Sequence, residues 1–68
     1  MLNFLEVEKQ VPRDIQIKVA RKMVAYGGAF FEGIGLALMQ ADPRNALKIK
    51  ETWPVEWERY ANAPEVGK

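Results

Sequence analysis

Lys9, Arg13, Lys18, Arg21 and Lys22 lie within residues 9 to 22 and face a single acid there, Asp14. Lys18, Arg21 and Lys22 occupy neighbouring positions of a helix, and Tyr26 stands one turn beyond Lys22. Side chains of these types bind anions. Amines and guanidiniums form charge-assisted hydrogen bonds to phosphate oxygens, and an aromatic ring stacks on a base. Arg13, Lys18, Arg21, Lys22 and Tyr26 are therefore the candidate anion site, with a small anionic nucleotide as the ligand class. Exposed amines lose affinity in salt, so tight binding is expected to need several copies converging. The same residues also suit a solvated helix face or a surface for an acidic protein.

The rest of the catalytic inventory is thin. The chain has no Cys, no His and no Ser, and Thr52 carries its only aliphatic hydroxyl. Nucleophilic catalysis with a His base and zinc binding through Cys or His both lack their residues. We expect no catalytic residues, no metal and no cofactor, and a protein that is not an enzyme. Gly27, Gly28, Gly33 and Gly35 bring two phosphate-loop patterns to mind, and both fail. Gly28 and Gly33 have the P-loop spacing, but Ile34 stands where a Lys must reach the phosphates. Gly33-x-Gly35 is followed by Leu38 where the dinucleotide fingerprint needs Gly. Small residues at helical spacing point instead to close packing of helix backbones.

Apolar residues recur every three or four positions. One stripe runs Ile15, Val19, Met23, Tyr26, Phe30, Ile34, Ala37, Ala41, and a second runs Ala20, Val24, Gly27, Phe31, Gly35, Leu38. Both keep phase through Gly27-Gly28. The expected architecture is all-α and a single domain over 1–68. An extended N-terminal arm covers 1–11, and one long central helix covers 12–41, kinked at Gly27-Gly28 or divided there into two helices in near register. Two short helices fill 43–61, and 62–68 is a polar tail. Asp42-Pro43 and Trp53-Pro54 supply the helix starts, since Pro at the first helical position loses no hydrogen bond.

A chain of 68 residues with a hydrophobic share of 49% has little surface to hide its apolar second half. The expectation is a homo-oligomer, with Gly27, Phe31, Gly35 and Leu38 at the interface between copies. Trp53, Trp57 and Tyr60 follow helical spacing around a Pro-forced bend and are read either as core cover or as a hot spot for a partner. Net charge is +1, so no global signal points to nucleic acid or an anionic membrane. A helix-turn-helix reading places Ala29-Phe30-Phe31-Glu32-Gly33-Ile34 in the groove, with no group to read a base edge, and DNA is not the expected partner. The apolar run from Gly27 to Met39 is shorter than the ~20 residues a membrane span needs, and no secretory segment is read, so the expected location is the cytoplasm.

Residues 26–60 resemble a recurring pattern in small uncharacterised proteins of phage and prophage genomes. It comprises Tyr26-Gly27-Gly28-Ala29-Phe30, then Ala41-Asp42 with Asn45, then Lys48-Ile49-Lys50-x-Thr52-Trp53-Pro54 with Trp57 and Tyr60. Trp53 stands where the pattern has Phe, and Met1 to Arg21 lies outside it. The resemblance brings no functional residue with it. It implies a phage accessory protein in the host cytoplasm that binds and inhibits a host defence factor, or an oligomeric sponge for a nucleotide immune signal. A structural or DNA-binding accessory role is the third alternative.

Overall fold

The structure, a computed structural model, describes residues 10–67. It contains four helices, α1 (Arg13–Tyr26), α2 (Gly28–Met39), α3 (Pro43–Thr52) and α4 (Pro54–Ala61), and no strand among the described residues. The expected arm over 1–11 lies outside the described residues except for Gln10 and Val11, and Val11 is buried in the core.

The stretch 12–41, expected as one long helix kinked at Gly27-Gly28 or as two helices in near register, is two helices that fold back on each other. Helix α1 closes at Gly27, whose N–H donates to the Met23 carbonyl at 2.8 Å, and the chain then passes through Gly28 at φ 68°. That left-handed conformation costs a residue with a Cβ about 1–2 kcal/mol and costs glycine little, so it reverses the chain here. The apolar stripes keep phase because only Gly27 separates the two helices. Sequence periodicity therefore does not distinguish a continuous helix from a hairpin.

Helix α2 runs back along α1. A Cβ on Gly35 would lie 2.7 Å from the Ala20 carbonyl oxygen and 2.9 Å from both Met23 Cβ and Val24 Cγ2. A Cβ on Gly27 would meet Phe31 Cβ and would lie 3.1 Å from the Tyr60 hydroxyl. The stripe of Gly27, Phe31, Gly35 and Leu38, expected between copies, thus packs within the chain. Gly35 and Leu38 are buried, and Phe31 is half-buried against Tyr60 and Trp53. The physical reason is proximity in sequence. The reversal at Gly28 lays α1 on this face within the same chain.

Helix α3 starts at Asp42, whose Oδ1 accepts from the Asn45 N–H at 2.7 Å, with Pro43 at the first helical position. Trp53 ends α3, its N–H donating to the Ile49 carbonyl at 3.1 Å, and Pro54 begins α4 directly. Helix α4 packs on α1 and completes the core of Val11, Val19, Ala20, Met23, Leu38, Ala46, Trp57 and Tyr60. Met23 and Leu38 are fully buried, each worth about 1.5–3 kcal/mol. Trp57 and Tyr60 are core side chains, so neither offers a partner the surface that the alternative reading required. Trp53 is half-buried. Among the described residues no helix is long and apolar enough to cross a membrane.

Two glycines of α2, the exposed Gly33 and the buried Gly35, give opposite predictions. A Cβ on Gly33 meets nothing within 4 Å, so Gly33→Ala should gain helix propensity and stabilise by up to about 1 kcal/mol, raising Tm by about 4–8 °C. Gly35→Ala should lower stability by about 1–3 kcal/mol, because backbone and Met23 must move. Thermal melts of both variants followed by circular dichroism test this. A Gly35→Ala protein as stable as the parent would contradict the close approach.

Candidate functional site

The basic and amide side chains of α1 divide between two jobs. Near its start, Arg13 and Gln16 reach carbonyls at the end of α2 and just beyond it, where backbone donors run short. Arg13 Nη1 donates to the Ala41 carbonyl at 3.3 Å and Nη2 to that of Met39 at 3.1 Å. Gln16 Nε2 donates to the Leu38 carbonyl at 2.7 Å and to that of Ala41 at 2.8 Å. A cation at a helix C-terminus is also favoured by the helix dipole. Arg13 is therefore placed with α2, apart from the other candidate anion-site residues. Gln16 was missed by the sequence reading. The available signal was an amide one position after Ile15 and one turn before Val19 and Ala20, on the face that the core covers.

One to two turns further on, Lys18, Arg21 and Lys22 come together. With Asp14, Ile17, Glu65 and Val66 they line an open cleft of about 400 Å³ between α1 and the C-terminal tail. The tail, read as a polar end of the chain, thus turns back to α1. Lys18 Nζ lies 3.4 Å from Glu65 Oε1, and the Tyr26 hydroxyl donates to the Glu65 backbone carbonyl at 3.4 Å. Tyr26 does not line the cleft; it holds the Glu65 backbone through this bond and is itself half exposed.

Lys22 differs from its neighbours. It is only 2% exposed, and its Nζ donates to the Ala61 carbonyl at 3.2 Å, at the C-terminal end of α4. Glu65 Oε1 is 4.0 Å from the same nitrogen, an ion pair beyond hydrogen-bond reach. The buried ammonium is tolerable because a helix C-terminus presents partial negative charge to it. Lys22 thus ties α1 to α4, a role that a list of charges along a sequence does not reveal.

The other notable surface is on the outside of α2. Ala29, Phe30, Gly33, Leu36 and Ala37 are all exposed and follow one another at helical spacing. Phe30 is 61% exposed and Leu36 is 51% exposed. The Phe30 ring stands edge-on to Phe31 at 5.1 Å and to Trp53 at 5.8 Å, so an exposed aromatic is held in place by half-buried ones. Glu32 is exposed beside this face. Of the three aromatics offered as a partner site, only Trp53 reaches this surface.

Comparison with family models, curated proteins and solved structures returned no match.

The contrast between the two lysines yields a prediction. Lys18 is an exposed ion-pair partner, and Lys18→Ala should change stability by no more than about 0.5 kcal/mol. Lys22→Ala removes a buried stem and leaves the Ala61 carbonyl without its donor, and should cost about 2 kcal/mol or more. Urea unfolding midpoints read the difference, and equal effects would remove the distinction drawn between them.

Proposed function

We propose that this chain is a non-enzymatic binding protein that engages another protein through the outer face of α2. The observation that carries this reading is Phe30, an aromatic 61% exposed on an otherwise apolar helix face and braced by Phe31 and Trp53. Aromatic anchors supply most of the energy in protein interfaces, and an ordered ring loses less freedom on binding than a mobile one. An apolar helix face of this kind fits a hydrophobic groove, with contacts at helical spacing from Phe30 through Gly33 to Leu36 and Ala37. The small residues let the partner approach the backbone closely. The resemblance to small phage proteins makes a host factor in the cytoplasm the expected partner, and inhibition by occupying its surface the expected effect.

Self-association is the second reading of the same face. Ala29, Phe30, Gly33, Leu36 and Ala37 carry no charge, so two copies of α2 can meet without desolvating an ion. The interface between copies is then the outside of α2 and not the buried stripe through Gly35.

Two charge insertions test both readings. Phe30→Glu and Leu36→Glu should each abolish retention of a host protein from lysate while leaving Tm nearly unchanged. Leu36→Glu is the cleaner variant because Leu36 makes none of the aromatic contacts. A parent mass of a multiple of 7.8 kDa by analytical ultracentrifugation, restored to one copy by either variant, assigns the face to a second copy. Retention and mass that are both indifferent to the two substitutions reject the α2 face as a binding surface.

A further inference from the structure

We infer that the cleft between α1 and the C-terminal tail is a binding site for a small phosphorylated ligand, and that Glu65 of the same chain occupies part of it. The inference is independent of the outer face of α2. It begins with Lys22. An ammonium has three donors. Here one reaches the Ala61 carbonyl at 3.2 Å, and the nearest carboxylate oxygen is 4.0 Å away, outside hydrogen-bond distance. The end of α4 compensates this buried charge from one side, and Lys22 also lines an open cleft in which an anion would add to that compensation.

Lys18, Arg21 and Lys22 stand at i, i+3 and i+4 of α1, so their like charges repel across neighbouring positions. Glu65 answers this repulsion only in part. Both lysines share its Oε1, at 3.4 Å and 4.0 Å. Arg21 makes no ion pair among the described residues, although it lines the same cleft. The remaining acid, Asp14, leaves three cations against two carboxylates around the opening.

A phosphate group fits this arrangement better than the resident carboxylate. It carries more negative charge and has enough oxygens to engage two ammoniums and a guanidinium fork together. Ile17 and Val66 add an apolar wall for whatever the phosphate is attached to. Entry of the ligand displaces the Glu65 side chain to solvent, where it is already more than half exposed. The tail is thereby an internal competitor that lowers affinity and keeps the cations paired when no ligand is bound.

The test uses the full chain with inorganic pyrophosphate as the probe. Calorimetry should give a saturable isotherm for the parent. Arg21→Gln should weaken it by up to about fivefold, as expected for one exposed ion contact. Glu65→Gln should tighten it by a similar factor because the competitor loses its charge. Arg44→Gln, an exposed cation at the start of α3 away from the cleft, should leave it unchanged. Amide shifts in a proton–nitrogen NMR titration should centre on Ile17, Lys18, Arg21, Lys22 and Val66. No saturable binding by the parent or by Glu65→Gln overturns the proposal. So does a Glu65→Gln protein that binds no tighter, or a loss in Arg44→Gln equal to that in Arg21→Gln, which would mean diffuse attraction to positive charge. All three variants change exposed side chains, and a circular dichroism melt verifies that each one folds.

Discussion

At Gly35 the backbone of α2 comes so near α1 that one added carbon would lie 2.7 Å from the Ala20 carbonyl oxygen. This approach requires small residues on both helices and a reversal of the chain at Gly28, where φ is 68°. Once the two helices lie at this distance, the carbonyls at the end of α2 fall within reach of Arg13 and Gln16. The same packing places Phe31 where Tyr60 and Trp53 can cover it. A larger residue at position 35 would separate the helices and loosen each of these contacts together. Steric closeness at one glycine is therefore coupled to hydrogen bonds more than one turn away.

Helix α1 is the hub of the fold for a second reason. Its side chains supply donors to the carboxyl ends of two other helices, Arg13 and Gln16 to α2 and Lys22 to α4. Helix ends carry carbonyls that must find partners, and a small protein has few side chains available to serve them. Using cations for the task also satisfies the negative end of each helix dipole. Part of the basic character of residues 9 to 22 is thus structural. Of the other described cations in this stretch, Lys18, Arg21 and Lys22 line the cleft beside the tail. Charge that first looked like one continuous surface is divided by the fold into a capping group and a cleft.

Covering one side of α2 also determines what is left open. The stripe through Gly35 and Leu38 meets α1, which leaves Phe30, Gly33 and Leu36 outside. An amphipathic helix would present polar residues there, and α2 has only Glu32 as a charged side chain. Among the described residues α1 is the main helix along α2, and a helix that is apolar on nearly all sides is left with an exposed apolar face. Phe31 and Trp53 flank the Phe30 ring edge-on. The two surfaces of interest therefore arise from different helices and different physics, one from charge and one from unburied apolar area.

The sequence alone determined the local elements. Helical spacing of apolar residues, Asp42-Pro43 as cap and start, and Trp53-Pro54 as a stop and restart all act within a few residues, and the helices form where these signals stand. The all-helical class followed from that periodicity, and so did an excess of apolar surface in the second half of the first stretch. Only the tertiary structure decided that Gly27-Gly28 reverses the chain, since a kink and a hairpin share one periodicity and differ in a single backbone torsion. It alone decided that Gly35 and Leu38 face α1, that Trp57 and Tyr60 lie in the core, and that Lys22 meets the end of α4. Lys22 and Ala61 stand 39 positions apart in the chain. Contacts at that separation depend on how helices are placed in space, and spacing along a sequence carries no record of it.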